Sequence, residues 1–145
     1  MVEIHRKAVV PYSTREMYAL VNDIESYPLF LPWCNDAKIL ERENNRLMAR
    51  LSMKIGRFGL EFTTENTMRP ERYIEMRLVE GPFRHLAGNW KFDPRGESSC
   101  AVAFDLRFEF KNRLLRLALS SVFNKIMAAL VDSFVRRAEQ LHGRR

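Results

Sequence analysis

Cysteine is nearly missing from this chain of 145 residues: Cys34 and Cys100 are the only two, and they lie far apart. They cannot form the dense disulfide framework of a small secreted domain, so a reduced, cytoplasmic setting is expected. Long apolar runs are missing as well. No stretch approaches the ~20 residues needed to span a bilayer, and the opening MVEIHRKAVV has no apolar core of signal-peptide length. A soluble protein is expected, though one able to sit peripherally on the inner face of a membrane. Catalytic constellations are the third absence. No paired carboxylates converge, no Cys-His or Ser-His-Asp set assembles, and neither metal-ligand spacing nor a glycine-rich phosphate loop occurs. The chain reads as a binder with no catalytic residues, no metal and no required cofactor.

What is present is a globular composition, 46% apolar and 29% charged, in a length that suits one domain over residues 1–145. Arginine outnumbers lysine 18 to 6. Basic charge gathers at the carboxyl end, where Arg113, Arg116, Lys125, Arg136, Arg137, Arg144 and Arg145 face only Asp132 and Glu139. Arginine pairs bidentately with phosphate, so an acidic partner, RNA or anionic lipid, is one reading and a solvated helix face the other.

Alternation defines the sheet. Val102, Phe104, Leu106, Phe108 and Phe110 share one face against Asp105, Arg107 and Glu109, the pattern of a half-buried strand. The same period runs through Leu47 to Ile55, Phe58 to Phe62, Ile74 to Leu78 and Leu86 to Phe92. Short connections at Gly56-Arg57, Arg69-Pro70-Glu71, Gly81-Pro82 and 94–99 imply antiparallel hairpins. Residues 2–10 and 37–43 bring the count to about seven strands. Ser13-Thr14-Arg15-Glu16 is a capping box that starts a helix ending near Asp23. A second short helical turn is expected at 25–31. Asn112 caps a last helix of roughly thirty residues, ~45 Å long. Its apolar stripe runs from Leu115 through Phe123, Ile126 and Phe134 to Leu141, with His142 near a frayed end. An α+β fold follows, in which an antiparallel sheet wraps one long helix.

A curved sheet around a cylinder leaves a gap, and "SYPLFLPWCND" (26–36) is suited to it. Tyr27 to Cys34 carries no charge but two prolines, so no regular element can pass through it. Two readings stand side by side: a lid over an apolar pocket, or a plug of Tyr27, Phe30 and Trp33 in the core. The candidate pocket residues are Tyr27, Phe30, Leu31, Trp33, Phe62, Phe83, Leu86, Trp90, Phe108, Ile126 and Phe134. Three polar side chains, Thr64, Asn66 and Arg84, project onto the same faces. Thr64 and Asn66 are either hydrogen-bonded sheet neighbours or donors to a ligand carbonyl. Gly88 reads as a bulge that also widens the pocket beside Trp90. Arg137 projects onto the apolar stripe, its head either snorkelling to solvent or meeting a ligand.

VPYSTREMYALVNDIESYPLFLPWC, LVEGPFRHLAGNWKF and FVRRAEQLHG together resemble the coenzyme-Q-binding branch of the START-like (polyketide cyclase/dehydrase) superfamily, over residues 1–143. The resemblance implies the helix-grip fold and a deep apolar cavity. It also implies one of two functions reported for relatives: binding ubiquinone or a similar prenyl lipid in support of respiration, or binding the large ribosomal subunit and blocking subunit joining. The last helix adds a third contact surface. Leu114 and Leu117 project away from its main stripe beside Arg113 and Arg116, with Lys125, Arg136 and Arg137 further along. Leucines among arginines suit an anionic membrane surface, whereas RNA would use the arginines alone.

Overall fold

The computed structural model describes residues 1–145. The chain forms β1 (Val2–Val10), α1 (Thr14–Asn22), a 3₁₀ segment (Ile24–Leu29) and six further strands. These are β2 (Cys34–Glu43), β3 (Arg46–Ile55), β4 (Phe58–Arg69), β5 (Tyr73–Glu80), β6 (Phe83–Pro94) and β7 (Cys100–Phe110). Two helices, α2 (Arg113–Ala128) and α3 (Leu130–His142), complete it. The seven strands make one antiparallel sheet in the order β1-β7-β6-β5-β4-β3-β2. Successive strands β2 to β7 pair through short turns, as the hairpin spacing requires. β1 and β2 lie on opposite edges, so α1 and the 3₁₀ segment carry the chain across the whole sheet. The closing segment is thereby strung between the two edges.

Local chemistry sets the helix starts. Ser13 Oγ accepts from the Glu16 amide (3.1 Å) and Glu16 Oε1 from the Ser13 amide (2.9 Å), the reciprocal pair expected of a capping box. Asn112 Oδ1 accepts from the amides of Leu114 and Leu115 and starts α2.

The single thirty-residue helix expected at the end is instead two helices bent by 40° at Ala129. Neither proline nor glycine stands there. Ala129 sits at φ −92°, ψ −1°, and Ser133 Oγ donates back to its carbonyl at 3.1 Å. Such serine back-bonding favours a bend, and the bend lets the helix pair follow the concave sheet. No single helix is long and apolar enough to cross a membrane. The chain end is not frayed: Arg145 holds Glu16 through two bonds (2.7 and 2.9 Å), His142 lies 3.6 Å from it, and Tyr12 Oη donates to the Gly143 carbonyl.

One contiguous core of 34 buried residues fills the space between sheet and helices. Its aromatic rings form two groups. Phe83, Phe108, Phe110 and Phe123 pack under α2, with Phe83 stacked on Phe110 at 4.7 Å and Phe108 edge-on to Phe123 at 4.7 Å. Trp90 and Phe104 pack with Phe134 of α3, Trp90 lying 4.4 Å from Phe104 and 5.3 Å from Phe134, while Phe92 stacks beside Trp90 and meets Tyr18 of α1 edge-on at 5.8 Å. Offset and edge-on pairs of this kind each add about 0.5–1.5 kcal/mol beyond burial.

Candidate functional site

Between the two aromatic groups the packing stops. Sheet curvature and the bend at Ala129 leave a cavity of about 80 Å³, lined by nineteen residues of which sixteen are hydrophobic. β3 and β4 supply Ala49, Leu51, Phe62, Thr64 and Asn66, and Met76 comes from β5. β6 and β7 supply Leu86, Ala87, Gly88, Trp90, Phe104 and Leu106, while Phe123, Met127, Leu130 and Phe134 descend from the helices. Ile24, Tyr27 and Trp33 close it from the segment strung across the sheet.

The closing segment is part plug and part cover. Leu31 is 1% exposed and Cys34 is buried, and these two anchor it in the core. Tyr27 and Trp33 are half-buried and face the cavity. Tyr27 Oη donates to the Val21 carbonyl, and its ring meets Phe134 edge-on at 5.4 Å. Burial pushes the Tyr27 hydroxyl pKa far up, so it stays protonated. Phe30 does not line the cavity; it stands on the outer side of Phe134 at 5.4 Å, and the Arg137 guanidinium lies 5.1 Å over its ring. The Arg137 head stays partly exposed, where Nη1 also donates to Gln140 Oε1 at 3.3 Å. It clamps the closing segment from outside, a contact worth about 0.5–1 kcal/mol where partly exposed.

The polar equipment is small. Thr64 Oγ1 donates to Asn66 Oδ1 at 2.8 Å. Asn66 is 5% exposed, and its Nδ2 amide has no protein acceptor. That amide is not one of the fully buried unpartnered atoms, which are the Oδ1 atoms of Asn22 and Asn89; it opens on the cavity, where water or a ligand can accept from it. Tyr27 is the only titratable side chain among the lining residues. No three His, Cys, Asp or Glu side chains gather closely enough to hold a metal.

The structure thus brings Tyr27, Trp33, Phe62, Thr64, Asn66, Leu86, Trp90 and Phe134 together, as the alternation places them. Leu31, Phe83 and Phe108 are buried beside the cavity rather than in its wall, and Ile126 is half-buried against the core. Arg84 is a correction. A register shift between Phe83 and His85 turns Phe83 and Leu86 both inward and leaves Arg84 exposed, 3.9 Å from Glu109. That shift is the bulge; Gly88 is not one, because it pairs in register with Met76 and Leu106. Glycine is needed at 88 for a different reason: a Cβ there would lie 2.4 Å from the Asp105 carbonyl oxygen. The reading of the sequence passed over Ile24, Ala49, Leu51, Met76, Ala87, Phe104, Leu106, Phe123, Met127 and Leu130. Most share a face with residues it did select, but their height along the strand is not encoded in the period.

Of the residues expected to contact a membrane or RNA, Arg113, Leu114, Leu117, Lys125 and Arg136 are exposed. Arg116 is half-buried, 3.8 Å from Glu109, and Arg137 is occupied by Phe30.

Known proteins share this architecture. The chain is 41% identical to the ribosome association toxin RatA of Escherichia coli (strain K12), over 145 residues covering all of this chain and 92% of that one. It is 27% identical to the mitochondrial coenzyme Q-binding protein COQ10 homolog B of Xenopus laevis, over 99% of this chain and 60% of that one. A START superfamily protein from Mycobacterium smegmatis superposes with a TM-score of 0.81 over 96% of this chain and 98% of that one, at 24% identity, a likeness of fold. Residues 10–135 match the family described as polyketide cyclase / dehydrase and lipid transport. By that match, and by a relative 41% identical along its whole length, the chain belongs to the polyketide cyclase/dehydrase and lipid transport family, with the START-like helix-grip fold.

Proposed function

We propose that the protein is a non-enzymatic carrier of an apolar, carbonyl-bearing molecule, ubiquinone or a similar prenylated lipid, in support of respiratory electron transport. The observation that carries this reading is the Asn66 amide. Thr64 fixes its orientation, its Nδ2 donor has no protein acceptor, and the surrounding walls are apolar. A quinone oxygen can accept from that amide, and the ring would lie among Trp90, Phe104 and Phe134. A wall whose only titratable group is a permanently protonated tyrosine offers no base or nucleophile, which supports binding over catalysis. The name of the 27% identical relative points the same way. One water needs ~10–15 Å³, so the cavity has room for on the order of six. A ring can be seated there, but a prenyl tail must run outward past Tyr27 and Trp33. Extracting the purified protein with organic solvent and identifying bound lipid by mass spectrometry tests the reading. A prenylquinone is expected, and failure to retain or bind any would remove it.

A second reading rests on a separate observation, the 41% identity to a ribosome association toxin together with a net charge of +6. It calls for co-sedimentation with large ribosomal subunits that weakens steeply with salt. A cytoplasmic location suits both readings.

A further inference from the structure

α2 has an outer face that the fold leaves uncovered. Leu114 is 68% exposed and Leu117 76%, and Ala118, Ser121 and Val122 continue the same face at 100° per residue. Two exposed leucines one turn apart are unusual on a helix whose other side is fully packed. The charge around them is of one sign. α2 contains Arg113, Arg116 and Lys125 and no acidic residue at all. Arg116 is engaged by Glu109, whereas Arg113 and Lys125 make no ion pair.

The place of this face in the fold matters equally. The Lys111 amide donates to the Pro82 carbonyl, which ties the start of α2 to the β5–β6 turn. Glu109 gathers the amino terminus, Arg84 and Arg116 within 4.0 Å at the same end of the sheet. The β3–β4 hairpin lies at that end too, and there the Lys54 amide donates to the Trp33 carbonyl. The exposed leucines, Arg113 and the Trp33 end of the segment that closes the cavity therefore share one end of the molecule, with Lys125 further along the same helix.

We propose that the outer face of α2 docks on an anionic lipid bilayer, with Leu114 and Leu117 entering the headgroup region while Arg113 and Lys125 meet lipid phosphates. Leucines gain by leaving water and cations by nearing anionic phosphates, and an anionic bilayer offers both at one surface. An RNA surface would satisfy the cations and leave the leucines wet. Docking in this pose brings the Trp33 end of the closing segment towards the membrane side, the position needed to exchange an apolar cargo without passing it through water. The docking surface stands whichever molecule the cavity takes.

Flotation with vesicles of pure phosphatidylglycerol or pure phosphatidylcholine tests it. The wild-type chain should float with phosphatidylglycerol and not with phosphatidylcholine. The double variants Leu114→Ser/Leu117→Ser and Arg113→Glu/Lys125→Glu should each lose about tenfold or more in vesicle binding, with unchanged melting temperatures because all four side chains are exposed. A Leu117→Cys variant gives a readout that survives any folding defect in the doubles. Cys34 and Cys100 are buried, their thiols pushed up to about 11 by that burial, so an environment-sensitive dye goes to position 117. Its emission should shift blue on phosphatidylglycerol vesicles. A wild-type chain that ignores phosphatidylglycerol, or a leucine variant that binds it as well as wild type, overturns the proposal. So does an unshifted dye. Loss of ribosomal binding in the charge variant alone, with vesicle binding untouched by the leucine variant, would identify this face as an RNA surface instead.

Discussion

Replacing Trp33 by alanine, beside a Leu31→Ala control, separates covering the cavity from plugging the core. Leu31 is 1% exposed, so its truncation leaves a buried void and should cost about 2–5 kcal/mol. At this chain length 1 kcal/mol corresponds to roughly 3–4 °C, so the control should melt on the order of 10 °C lower. Trp33 is half-buried and already borders empty space, so its removal forfeits fewer contacts, about 1–2 kcal/mol rather than the ~3–5 of a buried aromatic. Its effect should fall on retention instead, because the alanine leaves the wall open beside Tyr27. Trp90, the one remaining tryptophan in the Trp33→Ala chain, lines the cavity and reports occupancy through quenching by a bound quinone. The expected result is a small fall in melting temperature with release of quinone at least several-fold faster. A loss of ~3–5 kcal/mol with unchanged release would refute the covering role and make the segment a plug.

Asn66→Leu keeps the volume and deletes the amide; it should weaken quinone affinity by about 1–3 kcal/mol, the cost of an unmet partner, in a fluorescence titration while leaving apolar hydrocarbons bound as before. Gly88→Ala sets a methyl 2.4 Å from the Asp105 carbonyl oxygen and should destabilise by about 1–3 kcal/mol; an unchanged calorimetric melt would show that β6 can move off β7. The hydrogen bonds from Arg145, then that from the Ser13 amide, hold the Glu16 carboxyl down at about 2, from an ordinary 4.5. Because the folded value is the lower one, this stabilisation is present above pH 4.5 and is lost as pH falls toward 2. Removing Arg145 should erase that part of the acid dependence in thermal melts, whereas an identical acid profile would show that the tail contributes nothing.

Much of this architecture could be read from the chain because the physics behind it is local. Alternation over 102–110 needs only its neighbours to place Phe104 and Leu106 inward, and the Ser13–Glu16 capping box is complete within four residues. The misreadings come where local rules end. Arg84 follows Leu86 by period two, and only the shift at Phe83/His85, set by pairing with β7, turns it to solvent. The bend at Ala129 rests on a serine bond and on the shape of a sheet made elsewhere in the sequence. Arg137 could be placed on the apolar stripe, but Phe30 above which it lies comes from the opposite end of the chain. The cavity itself is the residue of two curvatures that do not match, and no single segment encodes it.

The most direct test of the account is the side-chain amide of Asn66 observed by nitrogen-15 NMR while a short-chain ubiquinone is titrated into the delipidated protein. Saturable shifts of the Asn66 Nδ2 protons are expected as they gain an acceptor, together with shifts of the Trp90 indole signal. Saturable binding that leaves both signals unmoved, or no binding at all, would contradict it.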